Sequence, residues 1–190
     1  MFTTGKQDAI GSKMKREMYK DDILKRMELL DERVDLEFDG DIRFLIIIVG
    51  GGALVLRDYI ARSTDDIDLL NVDKRLQELM KLYDMNSDAN AFLFSFPYNY
   101  EDRAKHIWSG EKIDYYTASL EDMVISKICA NRDEDFEDFE AVSEMIDWVL
   151  LDKLATDEDE LRLISMSDRG YQDFKACYEN FKRMYRKCKD

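Results

Sequence analysis

The stretch FLIIIVGGGALVLRDYIARSTDDIDLL, residues 44–70, decides the fold. Its first part, residues 44–49, is a continuous apolar and largely β-branched run, which is typical of a central strand buried on both faces. Three glycines end this strand, and residues 53–61 predict a short helix. A polar turn then leads into residues 65–70, which predict a second strand. This order of strand, glycine turn, helix, turn and strand indicates an α/β unit.

Two aspartates in the second strand, Asp66 and Asp68, are the candidate metal ligands. Residues two apart on a strand point to the same face, so the two carboxylates lie side by side while Ile67 faces the core. Carboxylates this close repel each other unless a cation lies between them, and their oxygens suit a hard ion such as Mg²⁺ or Mn²⁺. One or two such ions support phosphoryl transfer by holding the attacking and leaving oxygens. In a chain this acidic, a solvated acidic face is the alternative interpretation.

The glycine turn, Gly50-Gly51-Gly52, is the candidate phosphate loop. Glycine lets the backbone approach a ligand closely, and the helix that follows presents unpaired N–H groups to an anion. A nucleoside triphosphate (NTP) that bridges the metal and this helix would use both features. Arg62, Ser63 and Thr64 in the polar turn are further candidate phosphate donors. For the glycines alone, a plain tight turn is the alternative.

Composition limits the class of protein. The 190 residues are 45% hydrophobic and 12% aromatic, enough for one packed domain or one domain with a helical appendage. A net charge of −14 repels nucleic acid, so a polyanionic partner needs a local basic patch or a basic protein. Three cysteines without a CxxC pair and one histidine argue against a Cys/His zinc site and favour a reduced, cytoplasmic setting. No run approaches the ~20 apolar residues that cross a bilayer, so we expect no membrane association.

The remaining patterns predict an α/β half followed by a helical half. We expect a flexible lead-in over residues 1–12, the α/β core over 13–118 and a helical region over 119–190. Besides the elements above, apolar periodicity and apolar runs predict helices 13–34 and 74–83, strands 92–96 and 112–116, and helices 123–131, 136–150, 159–164 and 169–187. The predicted fold class is α+β: a small mixed β-sheet core with flanking helices, followed by a C-terminal helical half.

Two motifs in residues 50–69 resemble the signature of the polymerase-beta-like nucleotidyltransferase superfamily. They are Gly50-Gly51-x-Ala53-Leu54 and Arg62-Ser63-x-x-Asp66-Ile67-Asp68-Leu69. Within it the chain is most similar to bacterial minimal nucleotidyltransferases and to abortive-infection (AbiE-type) toxins. The resemblance implies Mg²⁺-dependent transfer of a nucleoside monophosphate (NMP) from an NTP to an acceptor, either an RNA such as tRNA or a protein. It also implies a role as the toxin of a toxin–antitoxin or phage-defence pair, with a cognate antitoxin as partner.

A second stretch strengthens the resemblance. Leu120-Glu121-Asp122, Lys127, Arg132, Asp135 and Asp138 are similar to the segment with which the family begins its helical half. By this resemblance Lys127 contacts the triphosphate, Asp135 and Asp138 are candidates for an acidic role that organises the site, and Arg132 is an accessory contact.

The resemblance also implies a third catalytic carboxylate on a later strand. Asp114 is the best match, as a metal ligand or as the general base that takes the proton from the acceptor hydroxyl. The alternative function is a nucleotidyltransferase fold used as a binding or regulatory module without turnover. An acidic α/β protein with a purely structural role is a third hypothesis.

Overall fold

The computed structural model describes residues 17–133 and 135–186. The lead-in predicted for residues 1–12, and residues 13–16 of the first predicted helix, lie outside the described residues. Within the described ranges the chain forms seven α-helices and five strands. The helices are α1 Lys20–Glu37, α2 Gly50–Leu56, α3 Gln77–Lys81, α4 Leu120–Ala130, α5 Asp135–Val142, α6 Trp148–Leu154 and α7 Asp168–Tyr185. The strands are β1 Phe44–Val49, β2 Ile67–Leu70, β3 Met85–Asn86, β4 Lys105–Ser109 and β5 Ile113–Thr117.

The five strands form one mixed sheet in the order β3-β2-β1-β5-β4. The central strand β1 runs antiparallel to β2 and parallel to β5, and every residue of β1 except Leu45 is buried. The apolar run therefore forms the buried central strand that its composition predicts. With α4–α7 following the sheet, the α+β class and the helical C-terminal half are confirmed.

Helix α1 packs one apolar stripe against the sheet. Ile23, Met27, Leu30 and Val34 are fully buried, at the three- and four-residue steps of one helix face. The stripe also buries a carboxylate, that of Asp31, which accepts hydrogen bonds from the backbone N–H groups of residues 111, 112 and 113 at 2.8–2.9 Å. Asp31 thus ties α1 to the turn that joins β4 and β5.

The prediction of a strand at residues 92–96 is wrong. Residues Asp88–Ser95 form a 3₁₀ helix, and the edge of the sheet beside β2 is occupied by the two-residue strand β3. A short apolar run has no periodicity that separates a strand from a helix, so the tertiary setting decides. Here Ser95 and Phe96 are buried and Ser95 lies against Ser126 of α4. Strand β4, an edge strand with a bulge between His106 and Trp108, was not predicted.

The helical half differs from its prediction at two places. The single helix predicted over residues 136–150 is broken into α5 and α6, because Asp147 caps a new helix by accepting hydrogen bonds from Val149 and Leu150 N–H groups. Where a helix is predicted over residues 159–164, residues 159–163 form turns, and the 3₁₀ turn Ile164–Met166 follows them. Helix α7 forms over Asp168–Tyr185 and ends at the extended residue Arg186, whereas the prediction was a helix over residues 169–187. None of the helices in the described part of the chain has the length and apolarity that a membrane span requires.

Candidate active site

Asp66 and Asp68 lie at one edge of the sheet, where β2 begins. In the β1–β2 pairing Asp68 is opposite Val49, the last residue of β1, so Gly50 at the start of α2 lies directly beside Asp68. The three glycines form the first turn of α2, whereas the sequence predicts a turn there and a helix over residues 53–61. Ile67 is fully buried, while Asp68 is half-buried and Asp66 is exposed. Asp66 directly precedes β2, which begins at Ile67 and not at residue 65 as predicted. With Ile67 in the core between them, both carboxylates line the same cavity, which Gly50 also lines.

Gly50, the first residue of α2, borders the carboxylates. Its φ of +64° lies in the left-handed region, and a Cβ there would lie 3.1 Å from Asp68 Oδ2. A Cβ on Gly51 would instead lie 2.9 Å from Thr64 Oγ1, whereas one on Gly52 would make only ordinary contacts. Gly50 therefore lets the backbone approach the Asp68 carboxylate, and Gly51 lets α2 approach the polar turn.

The polar turn positions Asp66. Thr64 is buried, its backbone pairs with Met18, and its hydroxyl donates a hydrogen bond of 3.1 Å to the carbonyl oxygen of Asp66. The Thr64 hydroxyl is therefore engaged in holding the turn. Ser63 is half-buried, and its carbonyl oxygen accepts a hydrogen bond from the Arg62 side chain.

Helix α4 forms the opposite wall of the cavity. It starts at the same sheet edge, because β5 ends beside β1 and the Ala118 N–H donates to the Ile48 carbonyl. The Leu120-Glu121-Asp122 segment anchors this helix: Glu121 accepts the N–H of Asp147, and Asp122 pairs with Arg103 at 2.8 Å. These contacts fix the rotation of α4, which places Lys127 on the side that faces the cavity.

Three cations and two buried carboxylates form an ion-pair cluster behind this wall. Asp135 and Asp138 of α5 are each 1% exposed. Lys127 pairs with both carboxylates, and its nitrogen lies 2.9 Å from Asp138 Oδ2. Arg62 binds Asp138 through Nε and Nη2 at 2.9 and 2.8 Å, and Arg132 Nε lies 3.3 Å from Asp135. Among the described residues, three cations thus lie against two carboxylates.

The cavity between these walls, here called the β2–α4 cleft, has a volume of about 480 Å³. One wall carries three carboxylates, those of Asp66, Asp68 and Asp88, and the facing wall carries Lys127 and Arg132. Burial and the neighbouring Asp66 carboxylate raise the pKa of Asp68 above its usual value, against the lowering effects of Asn86 and Arg132. A cation between Asp66 and Asp68 would relieve this repulsion. The cleft thus has a side suited to cations beside a side suited to anions.

A family model described as a nucleotidyltransferase of unknown function (DUF6036) matches residues 25–186, which include both walls of the cleft. The chain belongs to this nucleotidyltransferase family. No curated protein and no solved structure matches it. The predicted resemblance to nucleotidyltransferases is confirmed at this level, and the closer similarity to abortive-infection toxins stays a prediction.

The structure does not bring Asp114 to the other two aspartates. Asp114 pairs with Leu45, four residues along β1 from the Val49–Asp68 pair, which separates the two sites by roughly 13 Å at the rise of a strand. Its carboxylate accepts two hydrogen bonds from Arg43, at 3.0 and 2.6 Å, and these lower the pKa of Asp114. Asp114 is thus an ion-pair partner at the far end of the same strands.

The donor set fits a magnesium ion that a substrate helps to hold. In residues 17–133 and 135–186 no three His, Cys, Asp or Glu side chains form a group that could hold a metal by themselves. Mg²⁺ is commonly bound by one or two protein carboxylates together with water and substrate phosphates, rather than by a cage of protein ligands. Asp66 and Asp68 would supply the two carboxylates of such a site.

The structure also adds residues that sequence reasoning missed. Asp88, Phe94, Ser95 and Ser126 all line the cleft. The first three belong to the 3₁₀ segment Asp88–Ser95, whose residues 92–95 resemble a strand in sequence. The turn-forming run Asn86-Ser87-Asp88 was the available signal, since an Asn86 side-chain oxygen accepts the N–H of Asp88 and starts that segment.

Proposed function

We propose that the protein transfers an NMP from an NTP to an acceptor, in a reaction that depends on Mg²⁺ or Mn²⁺. The observation that carries this proposal is the β2–α4 cleft, in which the Asp66 and Asp68 carboxylates and Gly50 face Lys127 and Arg132. Membership of a nucleotidyltransferase family supports the reaction class. The charges support the substrate class, because a metal–triphosphate complex carries both a cation and polyanionic oxygens.

The acidic wall has the role of holding the metal. Asp66 and Asp68 would bind the divalent ion, which would neutralise charge on the triphosphate and favour departure of pyrophosphate. The absence of a side chain at Gly50 leaves room next to Asp68 Oδ2 for a phosphate oxygen to reach the ion. Thr64 holds the Asp66 backbone through its hydroxyl and thereby keeps the two carboxylates adjacent.

The facing wall has the role of binding phosphate. Lys127 and Arg132 line the cleft and belong to the ion-pair cluster behind it. Asp135 and Asp138 act as positioning residues, since they are buried and fix the Lys127 ammonium at the cleft surface. Arg62 links the polar turn of the core to α5 through Asp138 and so holds the two walls together. Ser63 and the backbone of Gly51 and Gly52 remain proposed phosphate contacts.

The biological setting is proposed from the resemblance. The protein would act in the cytoplasm as the toxin of a toxin–antitoxin or phage-defence pair, be restrained by a cognate antitoxin, and modify an RNA such as tRNA or a protein. Since the net charge is −14, a protein side chain or a tRNA delivered by a basic partner fits better than direct capture of free RNA.

A second candidate is a nucleotide-binding module without turnover. It is favoured by two observations: Lys127 is held by two buried carboxylates, and Asp114 lies away from the cleft. Such a module would bind metal–NTP at the same residues and leave the NTP intact.

A labelling assay separates the two. The protein is incubated with Mg²⁺, each α-labelled NTP in turn, and total RNA or cell lysate, beside an Asp66→Asn/Asp68→Asn variant. The proposal predicts labelled RNA or protein with the wild type and none with the variant. An Asp114→Asn variant serves as the matched control for removal of a strand aspartate and is expected to label. Binding of metal–NTP without label in any fraction would replace the transferase by the module.

A further inference from the structure

Besides its charged groups, the β2–α4 cleft is lined by apolar side chains. They come from the end of β1, from the 3₁₀ segment Asp88–Ser95, from Phe96 and from both the first and the last turn of α4. The apolar residues of the lining are Val49, Ala89, Phe94, Phe96, Met123, Cys129 and Ala130. The cavity therefore offers carbon surface as well as charged groups to a ligand.

Phe94 stands out in this lining because it is 56% exposed. Neighbouring Phe96 is 4% exposed and packs against Tyr100, so it belongs to the core. A large aromatic side chain that borders a polar cavity and keeps half its surface in solvent is suited to contact a ligand. Aromatic rings bind nucleobases by stacking, with little dependence on which base is present.

A pair of hydroxyl groups lies in the same lining. Ser95 Oγ and Ser126 Oγ are 2.9 Å apart, and either one can be the donor. Because a hydroxyl can donate or accept, the pair suits the hydroxyls of a ribose or the polar edge of a base. Ser126 directly precedes Lys127, so the hydroxyl pair lies close to the phosphate-binding wall.

We infer that Phe94, Ser95 and Ser126 form the nucleoside subsite of this nucleotidyltransferase, in which Phe94 stacks on the base and the serine hydroxyls bind the sugar or the base edge. The inference rests on the proposed function and extends it to residues outside the sequence motifs. The cleft combines charged groups, a hydroxyl pair and apolar surface, and these match in kind the metal-bound triphosphate, the ribose and the base of an NTP. A volume of about 480 Å³ also lies in the range of single small-ligand sites.

The test separates the nucleoside from the phosphates. Dissociation constants are measured in Mg²⁺ for inorganic tripolyphosphate and for nonhydrolysable analogues of the four NTPs. Stacking on an aromatic ring predicts that Phe94→Ala weakens the binding of every NTP analogue by about 5- to 150-fold and leaves tripolyphosphate unchanged. Ser126→Ala is expected to weaken the analogues by about 2- to 10-fold, again without effect on tripolyphosphate.

Matched controls exist on helix α5. Phe136 is a similarly exposed phenylalanine, at 42%, and lies outside the lining of the cleft, so Phe136→Ala should leave all the constants unchanged. Ser143, which directly follows α5 and also lies outside the lining of the cleft, provides the serine control as Ser143→Ala. Equal loss of NTP and tripolyphosphate binding in Phe94→Ala, or no loss of either, would overturn the subsite alone. A wild-type protein that binds neither ligand in Mg²⁺ would overturn the proposed function with it.

Discussion

Replacing Gly50 by alanine tests the geometry of the cleft, and the chain provides its own control for the backbone effect. Gly50 and Gly40 are both left-handed, with φ of +64° and +83°. A Cβ on Gly40 would have nothing within 4 Å, whereas one on Gly50 would lie 3.1 Å from Asp68 Oδ2. The two substitutions therefore share the backbone strain, and Gly50→Ala alone displaces the Asp68 carboxylate.

The expected magnitudes follow from these two effects. A left-handed alanine costs about 1–2 kcal/mol relative to glycine, and in a domain of this size each kcal/mol lowers the melting temperature by roughly 2–4 °C. Gly40→Ala should therefore melt roughly 2–8 °C below the wild type, and Gly50→Ala at or below that value. A ligand at 100 times its Kd adds about 2.7 kcal/mol to the wild type, or roughly 5–11 °C.

The assay is thermal melting of the wild type and both variants, with and without Mg²⁺ and a nonhydrolysable NTP. Gly40→Ala should keep the full ligand-induced rise in melting temperature, because its strain lies outside the cleft. Gly50→Ala should lose most of the rise, since the moved carboxylate no longer meets the metal and phosphate together. A full ligand-induced rise in Gly50→Ala would refute the reasoning that the Gly50–Asp68 approach serves the ligand.

Three further predictions concern other parts of the molecule. A Cβ on Gly110 would lie 2.2 Å from the Asp31 carboxyl carbon, so Gly110→Ala should lower the free energy of unfolding by several kcal/mol. Urea titration measures this free energy, and a change below about 0.5 kcal/mol would contradict the close packing of Gly110 against Asp31. Arg103→Met leaves the fully buried Asp122 carboxylate without its guanidinium and should lower the free energy of unfolding by about 3–5 kcal/mol. Calorimetry measures this change, and an unchanged stability would show that the ion pair contributes nothing. Burial raises the pKa of Cys129 to about 12, so its thiolate is scarce at pH 8 and its alkylation should become faster with pH throughout the range 7–10. Mass spectrometry of the native protein treated with iodoacetamide measures this rate, and rapid modification at pH 7 would contradict the prediction.

The parts of the fold that sequence reasoning predicted correctly are those with a local physical cause. The run at residues 44–49 is apolar on both strand faces, and only a central position in a sheet buries both. Asp66 and Asp68 reach one cavity because the two-residue period of a strand determines their direction. Such features depend on neighbours in sequence and survive any tertiary arrangement that keeps the strand.

The parts that sequence reasoning missed depend on distant contacts. The 92–96 run has the composition of a strand, but β3 already occupies the edge beside β2, and the run becomes the 3₁₀ wall of the cleft. For Asp114, its position on a strand could be predicted, but the register that pairs it with Leu45 could not. That register separates it from Asp68 and places it beside Arg43. Strand register and edge occupancy are set by the whole sheet.

The central claim is that Asp66 and Asp68 hold the divalent ion of a bound NTP. Titration of Mn²⁺ followed by electron paramagnetic resonance, in the presence of a saturating nonhydrolysable NTP, measures this directly for the wild type, Asp68→Asn and Asp114→Asn. We expect protein-bound Mn²⁺ in the wild type and in Asp114→Asn, and its loss in Asp68→Asn. Equal Mn²⁺ binding by Asp68→Asn and the wild type, or no protein-bound Mn²⁺ in any of them, would contradict the claim.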